Sequence, residues 1–189
     1  SNYCWNFNLS YQFAKRIKAN YPDVTIVMGG PNFPREKETQ EQFLNTYSEI
    51  DFYMRGEGEF AFPDLLKFLF EHDFNVPKIK SLGLKIPNSF YVADKQLVMG
   101  PVMDRIDDLQ AVPSPYLGCL FDKFFHERLY PFMQTSRVCP FTCSFCQEAT
   151  EYFNKIKHLP IERISDELEY IAQRTKAAEL LLADSNFGM

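Results

Sequence analysis

No apolar stretch of this chain approaches the ~20 residues that cross a bilayer as a helix, and its first residues do not resemble a signal peptide. There is no internal repeat and no low-complexity segment. A long basic block is also missing: 20 Lys and Arg stand against 25 Asp and Glu, a formal charge of −5. That balance argues against a nucleic-acid phosphate backbone as the main ligand. Histidine is scarce, and His72, His126 and His158 are isolated from one another, so a histidine-based catalytic centre is not indicated. Cysteine is limited to five residues, an odd number that suits no complete disulfide framework. A reducing cytoplasm is therefore the expected compartment. The first residue is Ser1 rather than methionine, and the last ones, Asp184 to Met189, sit at the tip of an expected strand. The chain reads as a piece of a longer protein.

What is present is a globular composition, 46% hydrophobic and 16% aromatic, enough for one ordinary core or two small ones. Leu9, Phe13 and Ile17 recur every four residues and predict a first helix, with Asn8 or Ser10 as its cap. The run Val24–Met28, closed by Gly29-Gly30-Pro31, predicts a central parallel strand buried on both faces. Ile50–Met54 predicts the next strand, and Gly56-Glu57-Gly58-Glu59 leads into a helix. Its Phe62, Leu65, Leu66 and Leu69 form one stripe, and Pro63 is tolerable there only in the first turn. Short strands are expected at Ser81–Ile86 and Ser89–Val92, joined as a hairpin across Pro87-Asn88. A proline-rich connector runs from Gly100 to Gly118. Beyond it come a strand ending near Ser136, a helical stretch from about Gln147, and a helix opened by Pro160 with Ile161, Ile164, Leu168 and Ile171 on one side. A second strand is expected at Glu179–Ala183. The fold class is α/β, with ligands expected at the carboxyl ends of the strands.

The chemistry is concentrated in Cys139-Pro140-Phe141-Thr142-Cys143-Ser144-Phe145-Cys146. Three thiolates crowd one loop after an apolar strand. Soft sulfur ligands suit iron–sulfur clusters, and three of them leave one iron of four open to a further ligand. The competing reading is a structural zinc site that borrows Cys119, His126 or His158, although zinc sites usually pair two half-sites. Cys4 and Cys119 are distant in sequence and are expected to be unligated.

The C-x3-C-x-aromatic-C pattern, with Phe145 as the aromatic, resembles the cluster loop of radical S-adenosylmethionine enzymes. The resemblance implies that Cys139, Cys143 and Cys146 hold a four-iron four-sulfur cluster whose fourth iron is chelated by S-adenosylmethionine, with Phe145 near the cofactor's adenine. Reductive cleavage of that cofactor would yield a 5′-deoxyadenosyl radical. Relatives commonly carry Arg-Gly-Cys-Pro at the loop entry, where this chain has Arg137-Val138-Cys139-Pro140. A branched valine cannot adopt glycine's left-handed conformations cheaply, so the loop entry is expected to differ. Asp184 to Met189 resembles a strand-end segment of the same family and implies cofactor contacts by Asp184 and Asn186. Helix capping explains such residues equally well.

Upstream, Ser1-Asn2-Tyr3 and Gly29-Gly30 resemble the closing part of a cobalamin-binding domain fused to many of these enzymes. Tyr3 stands where that family usually has Leu or Thr, and no Asp-x-His-x-x-Gly element is present. The glycines would give a ligand room that a side chain would occupy. Gly56, Glu57 and Gly58 belong to a Gly-Glu-Gly-Glu element that recurs in the same family. A helix-opening turn is its plain structural reading. The resemblance thus divides the chain into residues 1–76, the later part of a Rossmann-like cobalamin domain; 77–118, hairpin and connector; and 119–189, the start of a partial (β/α) barrel. It implies a fragment of an enzyme acting on a small-molecule substrate, by methyl transfer, cyclisation or rearrangement, supplied with electrons by a flavodoxin or ferredoxin. A non-catalytic binding module stabilised by zinc or a cluster is the alternative.

Overall fold

The computed structural model describes residues 1–146 and 155–188. The chain divides into two compact units, Ser1–Arg105 and Ile106–Met189.

The first unit is built on a four-stranded sheet in the order β1-β2-β3-β4. Strands β1 (Val27–Gly29) and β2 (Phe52–Met54) are parallel, with Gly29 opposite Met54. Strands β3 (Ser89–Ala93) and β4 (Gln96–Met99) continue it antiparallel. The sheet is mixed because β1 reaches β2 through a helix, whereas β3 and β4 are joined by a two-residue turn. In that turn Asp94 and Lys95 both take positive φ, 48° and 64°, the pattern of a type I′ turn that matches strand twist. The expected hairpin is thus displaced by one strand. Ser81–Ile86 does not form a strand, since Val76–Ser81 is the short helix α4. Asn75 caps it through Oδ1, and proline occupies its first turn, so local helix signals outweigh the alternation of the following residues.

Alternation in β2 separates two apolar layers. Phe52 and Met54 pack with Ala61, Leu65 and Leu69 of α3 (Gly58–Glu71) and with Val76 and Ile79 of α4. Tyr53 points the other way, into Phe7 and Ala14 of α1 (Phe7–Asn20) and Leu44 of α2 (Lys37–Thr46). Phe33 stacks on the Tyr53 ring, with centroids 4.2 Å apart. Each of the fully buried Phe52, Tyr53 and Leu65 contributes about 1.5–3 kcal/mol by leaving water. Asp51, buried beside this core, accepts the Ile26 amide at 2.7 Å and pairs with Lys18 at 2.7 Å. Lys80 lies 3.7 Å away on its other oxygen; burial pushes that ammonium below its ordinary pKa, with the Asp51 charge opposing.

Two helix expectations are corrected. The apolar stripe of α1 faces outward: Leu9 is 63% and Phe13 59% exposed, whereas Phe7 and Ala14 are buried. Aromatic contacts decide this, since Phe7 and Tyr11 mesh with Phe43 and Tyr47. The N-cap is Asn6 rather than Asn8 or Ser10. In α3, Pro63 falls beyond the first turn, because the helix already starts at Gly58.

The second unit has a smaller core of Tyr116, Met133 and Ile171, with Phe125, Ile164, Tyr170 and Leu180 around it. Strand β5 (Phe132–Met133) pairs in parallel with β8 (Leu181–Leu182), and β6 (Ser136–Arg137) pairs antiparallel with β7 (Lys157–His158). Helix α5 (Ile161–Ala172) follows Pro160, which is its N-cap rather than its first residue. Of its expected stripe only Ile164 and Ile171 face the core; Ile161 and Leu168 are exposed. Arg163 holds the helix to the turn at residues 109–112 near the start of the unit, donating to the Leu109 carbonyl at 3.1 Å and the Val112 carbonyl at 2.6 Å while pairing with the buried Glu167. The helical stretch expected from Gln147 lies outside the described residues. Among the described residues no helix is long and apolar enough to cross a membrane.

Candidate functional site

In the second unit the parallel register of β5 and β8 sets Thr135 and Asp184 at the same carboxyl edge. The Asp184 carboxylate collects the Thr135 amide at 2.7 Å, the Ser136 amide at 3.0 Å and the Thr135 hydroxyl. Burial alone would raise its pKa. The donors from Thr135 and Ser136 outweigh burial and hold it below the usual carboxylate range. Asp184 is therefore a clasp between the tip of one strand and the chain entering the cysteine loop. Thr135 and Ser136 were not singled out as partners from sequence; two consecutive hydroxyl residues at a strand end were the available signal.

The loop follows directly. Val138 has φ +66°, so the valine takes the left-handed conformation that a branched residue was expected to avoid. Cys139 is half-buried, and the Asn186 amide donates to its Sγ at 2.7 Å. Cys143 and Cys146 are exposed, with the Cys146 amide bonded to the Cys143 carbonyl at 3.0 Å in a tight turn. Phe145 is 91% exposed. All five cysteines are free thiols. Among the described residues, no three Cys, His, Asp or Glu side chains gather as metal ligands. Cys119 is exposed in a separate turn, and His158 stands opposite Ser136 in the β6–β7 ladder. By donor chemistry the loop fits an iron–sulfur cluster: three unpaired soft sulfurs lie within eight residues, and one of them accepts an amide hydrogen bond.

In the first unit, the tips of parallel β1 and β2 carry the two glycine segments. Ser1 and Asn2 lie against Gly30, and the Asn2 amide donates to the Gly29 carbonyl at 2.7 Å. A Cβ on Gly30 would stand 2.4 Å from the Asn2 nitrogen, and its φ is +114°. A Cβ on Gly29 would lie 3.1 Å from the Met54 carbonyl oxygen. The chain's own backbone therefore occupies the room these glycines leave, and glycine is needed there whether or not a ligand binds. Gly56 takes φ +83°, Glu57 is the N-cap of α3 and pairs with Arg105 at 3.5 Å, and a Cβ on Gly58 would meet nothing. The fold thus brings Ser1 to Gly29 and Gly30, and places Gly56–Gly58 just beyond the neighbouring strand end. The room that Gly29 and Gly30 were expected to leave for a ligand is thus taken by Asn2 and Met54.

No protein-family model matches the chain. Over 195 residues it is 32% identical to a cobalamin-dependent radical SAM methyltransferase, TokK, of Streptomyces tokunonensis, covering all of this chain and 27% of that protein. It is 28% identical over 197 residues to a 2-(S-pantetheinyl)-carbapenam-3-carboxylate methyltransferase of Streptantibioticus cattleyicolor, again covering all of this chain and 27% of the relative. In fold it matches the cobalamin-dependent S-adenosylmethionine radical enzyme OxsB, solved with aqua-cobalamin and S-adenosylmethionine bound. That TM-score is 0.66 at 20% identity, over 96% of this chain and 24% of OxsB. The chain is homologous to cobalamin-dependent radical S-adenosylmethionine enzymes and spans about a quarter to a third of their length.

Proposed function

We propose that the chain supplies the cluster loop and part of the cobalamin-binding edge of a radical S-adenosylmethionine enzyme that transfers a methyl group to a small-molecule substrate. The observation that carries this reading is the cysteine loop, tied by Asp184 to the tip of the adjacent strand pair. Cys139, Cys143 and Cys146 would hold a four-iron four-sulfur cluster, which supplies the electron for reductive cleavage of S-adenosylmethionine. The exposed Phe145 ring offers a face on which the cofactor's adenine can stack. Ser1, Gly29, Gly30 and the Gly56–Gly58 turn would lie along a cobalamin, contributing backbone groups rather than side-chain ligands. Asp184 and Asn186 act first within the protein, by positioning the loop. An external electron carrier of the flavodoxin or ferredoxin type would serve the cluster. The similarity to named methyltransferases supports methyl transfer over cyclisation.

Anaerobic reconstitution with iron and sulfide tests the reading. The expected uptake is about four irons and four sulfides per chain, lost when Cys139, Cys143 and Cys146 are replaced together by alanine. One tightly bound zinc and no labile sulfide would overturn it.

A further inference from the structure

We propose that Asn186 is a positioning residue that tunes the cluster through the Cys139 sulfur; the inference rests on the cluster reading above. Three observations converge on this side chain. First, it is held in place on the protein side. The Leu181 amide donates to the Pro131 carbonyl and the Ala183 amide to the Met133 carbonyl, both at 2.9 Å, and Asp184 gathers its donors only two residues before Asn186. Second, the receiving end is held as well. The β6–β7 ladder and the bond from the Leu159 amide to the Thr135 carbonyl fix the strand that leads into Cys139. Third, Cys139 is the only half-buried thiol of the five, and the Asn186 amide donates to its sulfur at 2.7 Å.

An N–H pointed at a ligating sulfur draws off part of its negative charge. The reduced cluster carries the greater negative charge, so the donor stabilises that state more and raises the reduction potential. A contact made only for folding would leave the potential alone. Among the described residues Asn186 gives one sulfur of the three a partner that the exposed Cys143 and Cys146 do not share, so the cluster would be held asymmetrically.

The experiment is an anaerobic redox titration of the reconstituted chain followed by electron paramagnetic resonance, with iron and sulfide counted in each sample. Asn186→Ala should keep its iron and sulfide but titrate at a more negative potential, and Asn186→Gln should recover part of the shift. Asn186→Asp, which puts a carboxylate beside the sulfur, should move further negative than alanine. An Asn186→Ala potential equal to wild type, with the cluster intact, overturns the inference alone. A wild-type chain that takes up no iron and sulfide overturns the cluster reading and this inference with it. If Asn186→Ala fails to hold a cluster, Asn186→Gln decides: retention with a potential between wild type and Asn186→Asp supports the donor role, and loss in both variants overturns it.

Discussion

Val138→Gly, compared with Val138→Ala, is the sharpest perturbation the structure offers. Val138 sits at φ +66°, immediately before the first cysteine of the loop. Any residue with a Cβ loses about 1–2 kcal/mol in the left-handed region relative to its preferred conformations. Glycine escapes that cost but gives up about 0.5–1 kcal/mol more chain entropy on folding. The difference leaves glycine more stable than alanine at this position by roughly 0.5–1 kcal/mol. At an ordinary extended or helical position the order is reversed. Comparing glycine with alanine rather than with valine removes the partial burial of the valine methyls from the balance. The second unit can be read alone by labelling the half-buried Cys139 thiol during urea unfolding of metal-free chain, with the other four cysteines replaced by serine. For a slope of about 2 kcal/mol per molar urea, the glycine variant should unfold at a midpoint roughly 0.25–0.5 M above the alanine variant. A glycine midpoint at or below that of alanine would refute a left-handed backbone at 138, and with it the account of the loop entry.

Phe13→Lys should change the urea stability of the first unit by no more than about 0.5 kcal/mol, since Phe13 faces outward, while Ala14→Leu should cost about 1–3 kcal/mol by overfilling the core. Far-UV circular dichroism separates the two, and the opposite order would restore the stripe read from sequence. Asp184→Asn should destabilise the second unit by about 1–3 kcal/mol at neutral pH, because it weakens an acceptor held by two amides and a hydroxyl. The Asp184 pKa is lowered in the folded chain, so its stabilisation is fully present above the unfolded value of about 3.9 and is lost as pH falls through the lower folded value. The gap between wild type and Asp184→Asn should therefore close in acid, and a gap independent of pH would sink the clasp.

The cysteine loop was legible in the sequence because its information is local: three thiols and an aromatic at fixed spacing need no tertiary contact to be recognised. The same holds for β2 and for the existence of α3 and α5, whose apolar runs and opening turns stand within a dozen residues of one another; β1, expected as a central strand buried on both faces over Val24–Met28, is instead the edge strand Val27–Gly29, with Val24 exposed. The second strand of the second unit, expected at Glu179–Ala183, is present as Leu181–Leu182 for the same reason. The outward stripe of α1 was misread because Leu9, Phe13 and Ile17 obey helical periodicity as well as Phe7 and Ala14 do. Only the aromatic partners on α2 distinguish the two faces. The hairpin was displaced because Asp94-Lys95 lacks the glycine that usually marks a type I′ turn.

By itself, then, the amino-acid order determined the α/β class, the set of sulfur donors and the resemblance to a cluster-bearing family, all short-range properties of the chain. Tertiary structure alone decided that Asp184 binds Thr135 and Ser136, that Asn186 reaches the Cys139 sulfur, and that the space beside Gly30 belongs to Asn2. The physical reason is separation along the chain. Those partners lie 28 to 49 residues apart, and a hydrogen bond across such a distance exists only once strand pairing has brought its two ends together.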